Sequence, residues 1–296
     1  TIDGQSIYLL SGEGVIGCYD AQNGQRRWSR EAKEFGGECG GWGYTESVLI
    51  SGEMAIFKPG GGNCMVALNK QSGEPIWKSQ GFSAGPEYSS CIAVTHEGIS
   101  MIVTGMRGGL VAVKAESGEL LWQNGFAADN VANVPTPAYR DGFVFWANGY
   151  GKGGICLKLD GQGQAAEAYK TRDMECHHGG FIIDNGYVYG NDGNGWTCLE
   201  LSSGEKKWSE RAVGKGSLCW ADGMLYLFGE QNGEAALATC SPTRRAWARP
   251  GLEPSGSVRR DQRGKDPADQ HRGPRDGGPG GVAGRRGLRP ANRRRI

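Results

Sequence analysis

Only four histidines occur in this 296-residue chain, and two of them are neighbours in "CHHGG", Cys176 to Gly180. Imidazole titrates near neutral pH and is the commonest metal ligand, and Gly179 and Gly180 would let a ligand come close. His177 and His178 are therefore the first candidates for metal ligation or proton transfer, with a hydrogen-bonded pair lining a channel as the plainer alternative. On a strand, adjacent side chains leave on opposite faces, so at most one of the two is expected to face a shared cavity. Glu46, Glu87, Asn133 and Lys215 could contact a small molecule, and Trp42 and Tyr44 in "WGYTES" could stack on a planar or sugar ring. Solvated loop charges and loop packing are the competing explanations. "GNDGNGW", ending at Trp196, offers many oxygen atoms but lacks the spaced carboxylates and closing Glu of a calcium loop, so it reads as hairpin-turn chemistry. The sequence leaves the identity of any metal unknown. No GxSxG, Walker loop or HExxH pattern occurs, and no catalytic residue is assigned.

The elements that must position these residues repeat. "QNGQRRW", "QSGEPIW", "ESGELLW" and "SSGEKKW" end at Trp28, Trp77, Trp122 and Trp208, with Gly24, Gly73, Gly118 and Gly204 four residues before each Trp. The spacings are 49, 45 and 86 residues, and the last is twice 43. A copy without Trp falls at the midpoint, in "ICLKLDGQGQAAEAYK", where Tyr169 takes the aromatic position. Upstream of each copy stands a two-residue turn led by Asp, Asn, Ser or Glu and ending in Gly, as in "DGQSIYLLSG" and "DGFVFWANG". Gly supplies the positive φ that hairpin turns need, and the flanking runs alternate with period two. A period near 45 residues built from short strands predicts an all-β propeller of four-stranded blades. About six blades are present, as part of a seven- or eight-bladed ring. Each Trp is expected to be a buried wedge between neighbouring blades, aimed by the turn at its Gly. "WGYTES", "EYSS", "NVPTP", "CHHGG" and "GKGS" differ from one another where the repeat would place the entrances to the inner strands. Loops free to vary on a repeating scaffold are where binding residues gather, so the channel mouth is the expected site.

Nine cysteines form no CxxC and no adjacent pair. Cys18 and Cys198 lie ten residues before a motif Trp, where other copies carry Ala67 and Ala112, so Cys there reads as a small buried residue. The net charge of +1 hides a division at residue 244. From Arg244 onward, 14 Arg and one Lys oppose five acids, a net of +10, which leaves −9 for residues 1–243. The propeller is thus assigned to 1–243 and a basic Arg/Gly/Pro-rich disordered tail to 244–296. The leading account of this tail is a frame-shifted reading of a GC-rich gene, because it begins where the repeat demands a strand and Trp. An inert tail and a nucleic-acid or membrane-binding arm are the alternatives, and nucleic acid is not expected as a partner. No apolar run reaches membrane-helix length, and "TIDGQSIYLL" opens without Met or signal-peptide features, as a fragment or trimmed form would.

The form seen in "ALNKQSGEPIW" resembles the repeat of the PQQ-like β-propeller family, over residues 1 to about 240. That family includes quinoprotein alcohol dehydrogenases and the scaffold lipoprotein of the outer-membrane assembly machine. "NVPTPAYRDGFVFWANGYG", "MECHHGGFIIDNGYVYGNDGNGW" and "GKGSLCWADGMLYL" are similar to an uncharacterised exported bacterial branch of it. The resemblance implies periplasmic or exported localisation. Its dehydrogenases hold PQQ against a vicinal disulfide, with Ca²⁺ and an Asp base. The chain has no adjacent cysteines, and no matching Asp or Ca²⁺ set can be placed in it. The leading expectation is a non-catalytic, monomeric propeller that binds a protein or small ligand at its channel mouth without a cofactor. A PQQ- and Ca²⁺-dependent dehydrogenase and an outer-membrane assembly scaffold are the alternatives.

Overall fold

The computed structural model describes residues 1–231 and 233–243, together with the backbone of strand Trp247–Ala248. Among the described residues, six antiparallel sheets follow one another, each a four-stranded meander in sequence order. Their first strands are Ile2–Asp3, Leu49–Ser51, Ile92–His96, Ala138–Arg140, Phe181–Asp184 and Gly216–Ala221. The one helical element among the described residues is a 3₁₀ turn, Ala32–Phe35. First strands of adjacent sheets lie against each other, as Leu49–Ser51 does against Ile92–His96 and Ala138–Arg140 against Phe181–Asp184. The all-β propeller architecture expected from the repeat is therefore present. The core lies between sheets, where residues such as Ile56, Val103, Phe145 and Tyr189 are buried.

The hairpins that open the sheets divide into two kinds. In the last four, both turn residues have positive φ: Glu97 and Gly98, Asp141 and Gly142, Asn185 and Gly186, Asp222 and Gly223. These are type I′ geometry. In the first two, Asp3 and Ser51 still belong to the strand, and only Gly4 and Gly52 of the turns Gly4-Gln5 and Gly52-Glu53 have positive φ. The same dipeptide pattern thus sits one residue out of step.

The four motif Trp side chains are buried, and three donate their indole N–H to the following sheet: Trp28 to Lys70 O, Trp77 to Ala115 O and Trp208 to Ser241 O, each at 2.9 Å. Three motif rings, Trp28, Trp77 and Tyr169, also lie on the next sheet's motif glycine. A Cβ on Gly73 would stand 2.8 Å from Trp28, one on Gly118 2.5 Å from Trp77, and one on Gly204 2.6 Å from Tyr169. Gly73, Gly118 and Gly204 therefore each do two things, adopting a φ of +72° to +75° for their own turn and seating the preceding sheet's ring. Asp20, Asn69 and Asp160 close that turn by accepting two backbone N–H groups each. Across from each motif aromatic sits Cys18, Ala67, Ala112, Cys156 or Cys198, and a bulge interrupts the ladder at that point in all five sheets. A small residue is needed there because the large ring lies directly opposite.

One sequence expectation is corrected here. The sixth unit was expected to lack its last strand, but Trp247–Ala248 pairs with Ala235–Thr239 and places Trp247 opposite Ala238, the register of the other motif rings. Backbone pairing at this position needs only two residues of extended chain, which the Arg-rich context obscured. The rest of the segment read as a basic, frame-shifted tail, apart from this strand, lies outside the described residues.

Candidate functional site

The five variable stretches lie where first strands are entered, and three of them share one buried polar belt. Lys58, at the end of Met54–Phe57, is fully buried, and its ammonium donates to Gly105 O at 3.1 Å, Glu87 O at 3.4 Å and Ser89 O. Glu46 Oε2 lies 3.7 Å from it, while Glu46 Oε1 accepts the Lys58 backbone N–H at 2.6 Å. Glu87 Oε2 accepts from the backbone N–H of Asn133 at 3.1 Å. The Asn133 amide in turn donates to Ala127 O at 3.0 Å and Met106 O at 3.3 Å. Burial pushes both carboxyls above the ordinary range, partly opposed by Lys58 for Glu46 and by the Asn133 N–H and Arg107 for Glu87. Glu46, Glu87 and Asn133 are thus occupied in joining the second, third and fourth sheets. They do not present free polar atoms to a ligand.

The two histidines behave differently from the expectation that their side chains diverge. Residues 176–180 form a bent loop outside any strand, and the two rings stack with centroids 3.7 Å apart at 34°. A strand's alternation does not apply where the backbone turns. His177 Nδ1 lies 2.9 Å from Lys215 Nζ, Tyr150 packs edge-on against His177 at 4.7 Å, and Lys215 pairs with Glu230 at 2.9 Å. His178 Nδ1 stands 3.8 Å from the same carboxylate. Burial, then the neighbouring His178 and Lys215, lower the His177 pKa, while Lys215 holds the Glu230 carboxyl low. Lys215→Met should therefore raise the His177 titration midpoint, read from its ring proton shifts by NMR; an unchanged or lower midpoint would show that the 2.9 Å contact carries no charge effect.

Trp42 and Tyr44, two residues apart, have opposite fates. Tyr44 is buried against Gly14, its hydroxyl donates to Pro59 O at 2.9 Å, and burial raises its pKa to about 12. Trp42 is 65% exposed and tilts against Tyr88 at 5.8 Å. Together with Thr45, Ala132, Val134, Tyr150 and His178 they line an open cleft of about 370 Å³, drawn from the loops of four sheets. Val131, 57% exposed, lies beside Ala132 of its wall. Residues that sequence reasoning missed are Lys58, Tyr88, Arg107, Tyr150 and Glu230. Lys58 carried one signal, a lysine directly after the apolar run "MAIF".

Among the described residues no group of three or more His, Cys, Asp or Glu is placed to hold a metal ion. Asp192 of "GNDGNGW" uses Oδ1 to accept the N–H groups of Asn194 and Gly195 and Oδ2 to accept the Ser209 hydroxyl. The chain also has no adjacent cysteines for a quinone stack.

The sequence model described as outer membrane protein assembly factor BamB matches residues 1–210. The outer membrane protein assembly factor BamB of Bordetella pertussis is 24% identical over 268 residues, which span 76% of this chain and 67% of that protein. Among solved structures, BamB from Moraxella catarrhalis superposes with a TM-score of 0.61 at 14% identity, covering 83% of this chain and 71% of that one. The quinohemoprotein alcohol dehydrogenase ADHIIG from Pseudomonas putida HK5 superposes at 0.53 and 13% identity, covering 80% and 55%. A computationally designed protein, Ika8, superposes at 0.57 and 11%, covering 83% and 74%. At these identities the structural likeness speaks for the fold.

Proposed function

We propose that this chain, which belongs to the family of the outer membrane protein assembly factor BamB, is a non-catalytic, protein-binding scaffold that works in the periplasm in the assembly of outer-membrane proteins. Of the three readings open to the sequence, this one has the support of both the family match and the Bordetella pertussis relative. The observation that carries it is the open cleft around exposed Trp42, lined by apolar and aromatic side chains. The buried carboxylates below it are engaged in hydrogen bonds between sheets. Protein interfaces concentrate their binding energy in such aromatic-lined pockets. No helix among the described residues is long and apolar enough to cross a membrane. A photo-crosslinking residue in place of Val131, presented to an outer-membrane envelope fraction, is expected to capture a subunit of the β-barrel assembly machinery. Mass spectrometry that finds no such subunit would count against the reading.

The dehydrogenase reading has the fold likeness in its favour. We take the chain to work without PQQ, since the family match and the Bordetella pertussis relative favour an assembly factor over a dehydrogenase. A stoichiometric quinone absorbance on adding PQQ and Ca²⁺, with dye reduction by alcohols, would overturn that.

A further inference from the structure

Resting on the scaffold reading, we propose that the aromatic cleft and the cavity beside it together recognise an extended peptide segment carrying a carboxylate side chain next but one to an aromatic side chain. The second cavity, of about 670 Å³, is lined by Arg107, Glu38, Cys39, Ser83, Pro86 and several glycines, Gly40 and Gly85 among them. Gly40 joins the two: a Cβ there would stand 3.4 Å from the hydroxyl of Tyr88, which lines the cleft. One loop, residues 36–45, thus borders both cavities.

The chemistry of each cavity narrows the ligand. In the cleft Thr45 donates to Tyr88 O at 3.3 Å, and the rest of the lining is mostly apolar and aromatic: Trp42, Tyr88, Ala132, Val134 and Tyr150. A sugar needs several free donors and acceptors, whereas a flat apolar side chain needs ring faces, which Trp42, Tyr88 and Tyr150 supply. In the second cavity, Arg107 follows the end of strand Ile99–Met106, and its side chain is 65% exposed. Its Nε lies 3.5 Å from Glu87 Oε1, and neither terminal nitrogen has a partner among the described residues. Glu87 itself is nearly inaccessible, with its other oxygen held by Asn133. The guanidinium is therefore a half-used fork of donors at the rim, and a planar carboxylate matches it. Residues two apart on an extended chain project from the same face, about 7 Å apart, so one segment can serve both cavities.

The test uses hexapeptides of Gly and Ser, blocked at both ends, carrying Phe and Asp at alternate positions. Calorimetric titration of the whole chain should show the Phe-Asp peptide binding at least about tenfold more tightly than peptides with Ala for Phe or Lys for Asp. Trp42→Ala should erase the dependence on Phe. Arg107→Glu should invert the preference between Asp and Lys. Both residues are exposed, and an unchanged unfolding midpoint establishes that the variants fold. Equal affinity across the series, no measurable binding, or binding of maltose or N-acetylglucosamine oligomers in place of the peptides would each overturn the proposal. Crosslinking to assembly machinery through residue 131 without peptide selectivity would remove this recognition mode and leave the scaffold reading standing. Selective peptide binding without that crosslink would do the reverse.

Discussion

Lys58→Met is expected to destabilise the protein by about 3–5 kcal/mol, because it strands a buried carboxylate. The ammonium is wholly buried and satisfies the carbonyls of Glu87, Ser89 and Gly105 as well as facing Glu46 Oε2. Met fills similar space but offers those oxygens nothing. The loss should depend on pH with a defined sign. Burial already holds the Glu46 carboxyl above its ordinary value of 4.5, and losing the Lys58 cation raises it further. The folded variant then keeps a proton that the unfolded chain releases, so stability falls as pH rises from the ordinary carboxylate value through the raised one. Below the ordinary value both states are protonated and this part of the penalty vanishes. Denaturant unfolding across acidic to neutral pH should therefore show the gap between variant and parent widening with pH. Adding Glu46→Gln should recover much of the loss and flatten the dependence. A pH-independent loss below about 1 kcal/mol would mean that the pair contributes little beyond its neighbours.

Gly118→Ala is expected to cost about 2–4 kcal/mol, from a strained backbone and an overpacked contact acting together. At φ +72° a Cβ is disfavoured by about 1–2 kcal/mol, and here it would also stand 2.5 Å from Trp77 Cε3. Gly24 provides the control. It occupies the same motif position with the same φ of +72°, yet a Cβ there meets nothing within 4 Å. Gly24→Ala should therefore show only the backbone cost. In a Trp77→Ala background the Gly118→Ala penalty should fall to that same level, giving a coupling of about 1–3 kcal/mol in the double-mutant cycle. Equal losses for Gly24→Ala and Gly118→Ala would mean that the ring does not use the glycine as its seat.

The wedge also shows how far a local pattern can be read. Gly and Trp four residues apart, with a small residue ten before the Trp, announce a turn and an opposed strand pair within one sheet. The repeat does not announce that Trp77 belongs with Gly118, because that pairing joins two copies. The bulge opposite every motif ring leaves no mark at all, since any residue type is tolerated at the extra position: Arg27, Ile76, Leu121, Ala168 and Lys207 occupy it. Tyr169 shows the converse. It stands in the ring position opposite Cys156 although three more residues separate it from that partner than in the other copies, taken up by a longer strand pair.

The sequence located the variable loops before the first strands but could not say which side chains they expose. "WGYTES" holds both an open cleft wall, Trp42, and a core residue, Tyr44, and nothing in six letters distinguishes them. The difference is that Gly14 and Pro59, from separate sheets, close over Tyr44. Glu46 reads as a solvated carboxylate because its cation, Lys58, sits at the end of an apolar strand 12 residues away, and Glu87 does so because its own cation, Arg107, follows a different strand. Strand periodicity, turn chemistry and the spacing of glycine and tryptophan are local constraints on hydrogen bonding and packing. They determined the sheets, their number and their order from the letters alone. Burial, charge pairing and the shape of the cleft depend on residues brought together from different sheets. Those contacts were decided by the tertiary structure, because no local rule couples positions that only the closing of neighbouring sheets makes adjacent.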